Sequence, residues 1–121
     1  LTLGADPMSY ALSHVAWKRG HKINPFIVRK EPKGHGTKVW IEGNVQPGDH
    51  VVILDDVVTT GGSAIKAVER AKLFGLEVDG VILLIDRQEF NGMDNIKKVA
   101  PKVLSLFTRE DLFDEMRHIN A

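Results

Sequence analysis

Two adjacent carboxylates close an apolar run in this chain, and a turn of hydroxyls and glycines follows them: Val51-Val52-Ile53-Leu54-Asp55-Asp56-Val57-Val58-Thr59-Thr60-Gly61-Gly62-Ser63. In an open parallel sheet, ligands bind at the carboxyl ends of the strands, where such a turn must lie. Glycines let the backbone come close to a phosphate, and the free N–H groups and dipole of a helix start attract the anion. Thr59, Thr60 and Ser63 add hydroxyl donors, while Asp55 and Asp56 suit a vicinal diol or a Mg²⁺ ion carried with the ligand. A phosphate and a diol together describe ribose 5-phosphate. A Walker B strand is the alternative reading, but it needs a loop ending Gly-Lys-Ser/Thr, and the chain has none.

Three other stretches could do chemistry. Arg29-Lys30-Glu31-Pro32-Lys33-Gly34-His35-Gly36 gathers cations in a segment that reads as a mobile loop over about residues 30–38. Cations on a closing loop stabilise charge on a departing anion and exclude water, although a Lys/Gly stretch is also what an ordinary solvated loop looks like. Asp86-Arg87-Gln88-Glu89 closes the next apolar strand, so Arg87 belongs at the same crevice. There its guanidinium fork suits a planar carboxylate, or else pairs with Asp86 or Glu89. Thr2-Leu3-Gly4-Ala5-Asp6-Pro7 serves either as a second anion-binding turn or as a plain helix cap.

The stretch from Val51 to Ser63 resembles the phosphoribosyl pyrophosphate (PRPP) motif of type I phosphoribosyltransferases. The Arg29–Gly36 loop, with its Arg-Lys, Lys and His-Gly, resembles the flexible catalytic loop of the orotate phosphoribosyltransferases within that family. The resemblance implies transfer of a phosphoribosyl group from PRPP to orotate, giving orotidine 5′-monophosphate and pyrophosphate, with Mg²⁺ arriving on PRPP and no metal site in the protein itself. It further implies that Asp55 and Asp56 contact the ribose hydroxyls and that Thr59, Thr60, Gly61, Gly62 and Ser63 wrap the 5-phosphate, with Val57 and Val58 also in the PRPP-binding stretch. Arg29, Lys30, Lys33 and His35 would bind the pyrophosphate side, Lys33, His35 and Asp55 would act in catalysis, and Thr59 with Arg87 would hold the base. The segment Thr2–Pro7 resembles the family's pyrophosphate loop.

In this family the catalytic loop is commonly lent by a neighbouring subunit, which implies a homodimer. Family members also carry an N-terminal region that forms a hood over the base and supplies a basic residue. The chain opens Leu1-Thr2-Leu3-Gly4 without Met, so that region is expected to be missing here, which puts orotate affinity and turnover in doubt. Three rivals share the motif: a transferase for another base, a non-catalytic PRPP-binding regulator, and a fragment that folds without acting.

These groups need a scaffold, and the hydrophobic pattern predicts one. A helix follows Asp6-Pro7 with Met8, Leu12, Val15 and Ala16 on one face and Gly20 as its stop. Strands are expected at Pro25–Val28, 39–41, His50–Leu54, Val78–Ile85 and Val103–Phe107. Val57–Ser63 should be a turn, and the helix after it has Ala64, Ala67, Val68 and Ala71 on one face and Gly75 at its end. A short helix over Met93–Val99 and a last one capped by Thr108–Asp111 complete the pattern. Alternating helices and continuously apolar strands favour an α/β fold: an open, mainly parallel sheet with helices on both faces.

At 121 residues the chain is expected to be one domain. Its content, 43% hydrophobic and 26% charged, is that of an ordinary globular protein, and 16 basic residues balance 16 acidic ones. With no global field to attract nucleic acid or an anionic membrane, anion recognition must be local. The absence of cysteine removes disulfides, thiolate metal sites and a Cys nucleophile, and agrees with a reducing cytoplasm. His14, His21, His50 and His118 have no metal-ligand spacing. Trp17, Trp40 and the phenylalanines, within 7% aromatics, are expected in the core or an interface.

Overall fold

A computed structural model describes residues 4–35 and 40–120. Thr2 and Leu3 of the expected anion turn, and Gly36, Thr37, Lys38 and Val39 of the expected loop and strand, lie outside the described residues. Nine elements follow in order: α1 (Asp6–Lys18), β1 (Phe26–Val28), β2 (Ile41–Gly43), β3 (His50–Val58), α2 (Gly62–Phe74), β4 (Glu77–Asp86), α3 (Gly92–Lys97), β5 (Val103–Thr108) and α4 (Arg109–Asn120).

β3, β4 and β5 form a parallel sheet in that order, as their apolar runs require. β1 and β2 do not join it. They pair antiparallel with each other, Phe26 opposite Gly43 and Val28 opposite Ile41, and so carry the basic loop between them as a hairpin. Val58 of β3 is level with Asp86 of β4, which is level with Thr108 of β5. The three strands therefore end together, and their connections emerge along one edge.

α2 covers one face of this sheet. Ala64, Ala67, Val68, Ala71 and Phe74 recur at helical spacing and are all buried. Three alanines in that stripe bring the helix axis close to the strands, where Val81 and Leu83 are buried beneath it with Ile96 of α3. Truncating a side chain as enclosed as Ile96 to Ala would cost about 2–5 kcal/mol. α2 stops at Gly75, whose φ of 102° is left-handed. The Gly75 N–H reaches Lys72 O at 2.9 Å and the Leu76 N–H reaches Ala71 O at 3.0 Å, which satisfies carbonyls the helix would otherwise leave open.

The other face is less covered than continuous apolar strands suggest. Val52 is 44% exposed and Leu104 58%. α1 buries Ala16 alone, and Trp17, expected in the core or an interface, is 71% exposed. A cavity of about 640 Å³ opens between the start of α1, β1 and the β3 side chains Val52 and Leu54. Among the described residues, no helix is long and apolar enough to cross a membrane.

Candidate active site

β3 runs further than its apolar stretch: it includes Asp55 and Asp56 and ends at Val58. The acids are thus held by strand pairing, Asp55 opposite Leu83, rather than by the turn that follows. Asp55 shares the inward face of Val51 and Ile53 and is 5% exposed. Its carboxylate accepts the Asp56 N–H at 3.0 Å. Asp56 is half-buried, accepts the Val57 N–H at 2.8 Å, and lies against Gly4, where any β-carbon would overlap it.

These surroundings split the pair. Burial pushes the Asp55 carboxyl above its usual range, and the neighbouring Asp56 carboxylate adds to the rise. Burial also opposes ionisation of Asp56, but the Val57 N–H and the contact with Asp55 outweigh it and hold Asp56 below the usual range. One acid holds its proton more tightly and the other stays ionised, which gives adjacent oxygens unequal hydrogen-bonding roles.

The turn after β3 is shorter than expected, because α2 already begins at Gly62. Gly61 takes φ 87°, a left-handed conformation that favours glycine, and precedes the helix without a side-chain cap. Thr60 Oγ1 accepts the Gly62 N–H at 3.2 Å. The first turn of α2 contains no acidic residue, unlike α1 with Asp6 or α4 with Glu110 and Asp111. Its N-terminal dipole is therefore not neutralised by its own side chains and remains able to attract an anion.

Arg87 follows β4 directly, and its N–H reaches Val58 O at 3.1 Å, so it sits at the same sheet edge as Thr59. Its guanidinium meets Glu89 Oε1 at 3.2 Å, and Arg109 meets the same oxygen at 3.2 Å. The basic loop is organised elsewhere. Arg29 binds Glu42 of β2 at 2.7 Å, Lys33 lies 3.6 Å from the same carboxylate, and Lys30 and His35 are exposed. Arg70 of α2 ties the loop's base down through Arg29 O at 2.6 Å while stacking 4.0 Å above the Trp40 ring. Among the described residues, no hydrogen bond or ion pair joins 29–35 to 55–63.

The structure thus brings Asp55, Asp56, Val57 to Ser63 and Arg87 to one edge and leaves Arg29, Lys30, Lys33 and His35 on a separate hairpin. Sequence reasoning missed Glu42 as the counter-ion of that hairpin and missed Gly92 and Asn95, which support the Thr59–Gly62 turn. All three contacts are long-range and have no local motif. Among the described residues, no group of three or more His, Asp or Glu side chains is placed to hold a metal ion.

No model of a protein family matches the chain. The chain is 52% identical over 112 residues to an orotate phosphoribosyltransferase of Aquifex aeolicus, covering 93% of this chain and 61% of that protein. It is 50% identical to the orotate phosphoribosyltransferase of Nostoc sp., covering 93% of this chain and 54% of that one. Among solved structures, the Mycobacterium tuberculosis orotate phosphoribosyltransferase in complex with PRPP superposes with a TM-score of 0.77 at 34% identity, over 92% of this chain and 61% of that one. The chain therefore spans about three-fifths of the length of the relatives it matches.

Proposed function

The chain belongs to the orotate phosphoribosyltransferase family, and on that premise we propose that its protein transfers the 5-phosphoribosyl group of PRPP to orotate. The products are orotidine 5′-monophosphate and pyrophosphate, a step of pyrimidine nucleotide synthesis. The observation that carries the reading is the β3–α2 junction: two unlike carboxylates, a left-handed glycine and an uncompensated helix start lie within nine residues, Asp55 to Ser63.

In this reading the start of α2 and the Thr59, Thr60 and Ser63 hydroxyls bind the 5-phosphate. Asp56, ionised, accepts from a ribose hydroxyl, and Asp55 supports it from the buried side. Arg87 leaves Glu89 to take the orotate carboxylate, beside Thr59. Mg²⁺ would arrive with PRPP, and Asp56 would be the residue to offer it a hard oxygen.

The bond from C1 of the ribose to pyrophosphate breaks as a ring nitrogen of orotate bonds to C1, and the proton that this nitrogen loses passes to the departing pyrophosphate or to water. Positive charge develops on the ribose and negative charge on the departing pyrophosphate. Lys30, Lys33 and His35 neutralise the latter when the hairpin loop closes, and Arg29 anchors the loop. The separation of that loop from the acids in the described structure supports a closing motion or a loop supplied by a second copy in a homodimer. We place the enzyme in the cytoplasm, with small molecules as its partners.

The test is a calorimetric titration of PRPP with Mg²⁺, followed by orotate addition with its absorbance recorded. PRPP binding and orotate consumption are expected. Binding with turnover of a purine base instead would move the assignment to another transferase, and no PRPP binding would overturn it.

A further inference from the structure

The segment after β4 does more than present Arg87; it is also the floor under the phosphate turn. Asn95 Nδ2 donates to Thr60 O at 2.9 Å and to Phe90 O at 3.2 Å. Gly92 lies so close that a β-carbon there would overlap the Thr59 carbonyl and stand 2.9 Å from Val58 Cγ2. From the other side, a β-carbon on Gly61 would stand 2.9 Å from Gly92 O and 3.0 Å from Ile96 Cγ1. The two turns therefore meet backbone to backbone. Gln88, Phe90 and Asn91 reach this contact through left-handed conformations, with φ of 58°, 52° and 55°. Such a run in non-glycine residues persists when surrounding contacts over-determine it.

A trans peptide fixes its C=O and the next residue's N–H in opposite directions. When Asn95 holds Thr60 O toward α3, the Gly61 N–H in the same peptide is turned away from α3, toward the mouth of the turn. We propose that Asn95 is a positioning residue for PRPP: it sets the Thr60–Gly61 peptide so that its N–H faces the ribose 5-phosphate, without touching the ligand itself. This rests on the reading of Thr59–Ser63 as the phosphate cradle. It also gives the turn bearing Arg87 a direct mechanical link to the turn that holds the sugar phosphate.

The experiment uses the full-length protein as wild type, Asn95→Ala and Asn95→Asp. PRPP affinity is measured by calorimetry, kcat and both KM values by steady-state kinetics, and folding by thermal unfolding. Asn95→Asp preserves side-chain shape and replaces the donor with an acceptor, so it decides the matter if Asn95→Ala folds poorly. Both variants should bind PRPP roughly tenfold more weakly, the order expected for one lost hydrogen bond. The kcat and the orotate KM should stay within about twofold of wild type, the pattern of lost ground-state binding. Unchanged PRPP affinity in Asn95→Asp would overturn the proposal. So would a parallel loss in PRPP KM, orotate KM and kcat, which marks general loosening. A wild type that turns over orotate but binds PRPP no more weakly when Thr60 and Ser63 are both changed to Ala would instead refute the phosphate cradle itself, and the proposal with it.

Discussion

Gly4 rests with its Cα against the carboxylate of Asp56: a β-carbon at Gly4 would stand 2.6 Å from Asp56 Cγ. The two residues lie 52 positions apart, on the turn before α1 and on β3 respectively. The turn before α1 and the carboxyl end of β3 thus meet at one acid, and the position of that acid depends on a missing side chain.

Gly4→Ala should therefore act on the ligand more than on the fold. Forcing a methyl into the contact costs about 1–3 kcal/mol if the neighbours do not yield. Asp56 can yield by rotating, which turns it away from the ribose. PRPP affinity measured by calorimetry should fall about tenfold or more, with a smaller change in thermal stability. Equal affinity would show that Asp56 does not contact the ligand.

The acid pair predicts opposite signs for function and stability. Asp56, with its folded pKa below 3.8, contributes stability that is present above that value and lost as pH falls through the folded pKa. Asp55 is raised, so its contribution is present below 3.8 and lost as pH rises through its folded pKa. Ionising Asp55 in its buried place is therefore a cost. Asp55→Asn should then raise the Tm on the high-pH side of the Asp55 titration and bring no gain below it, as thermal unfolding across pH would show. The double variant Asp55→Asn, Asp56→Asn should abolish PRPP binding while its circular dichroism spectrum stays folded; retained binding would remove the diol assignment.

Lys33 sits 3.6 Å from Glu42 on the hairpin, 69% exposed, so its loss should hardly disturb the fold. Lys33→Ala is expected to lower kcat by about a hundredfold while PRPP affinity changes only a few-fold, because the charge it meets develops in the transition state. Kinetics and calorimetry on the same preparation separate the two, and an equal loss in both would assign Lys33 to ground-state binding.

At the far end of the sheet His50 Nδ1 meets Asp79 at 2.9 Å, and this hydrogen bond, helped by the charge of Asp79, raises the His50 pKa above 6.5. The pair's contribution is complete below 6.5 and disappears as pH rises through the folded pKa. Since both side chains are exposed, the effect is small. Thermal unfolding of wild type and Asp79→Asn should differ most near pH 6 and converge by about pH 9. A difference that persists at the higher pH would mean that Asp79 stabilises by another route.

Patterns that repeat at short range were legible in the sequence. Ala64, Ala67, Val68 and Ala71 specified the buried face of α2, because 3.6 residues per turn is a local property. Gly75 specified its end, and Thr108 with Asp111 capped α4, their reciprocal bonds measuring 2.8 and 3.2 Å. The run Val51–Ser63 read as a strand, a turn and a helix start because an apolar run, a Thr-Gly-Gly break and the alanine stripe after it are signals carried by neighbours along the chain.

The sequence read less well wherever a distant partner intervened. Asp55 and Asp56 read as a strand end, since carboxylates disfavour a strand interior, yet pairing of Asp55 with Leu83 and of Val58 with Asp86 carries β3 past both. Pro25–Val28 read as one more short strand, but the antiparallel partner that makes Phe26–Val28 a hairpin lies across the basic loop.

By itself, then, the sequence determined the strand–turn–helix order of Val51–Ser63, the two adjacent acids within it and the α/β alternation, all of which are set by neighbours along the chain. Tertiary structure alone decided that Asp55 is buried while Asp56 lies against Gly4, that Glu42 gathers Arg29 and Lys33, and that Asn95 holds the Thr60 peptide. Those relationships join residues from 9 to 52 positions apart, and burial and hydrogen-bond direction exist only once the chain has closed around them.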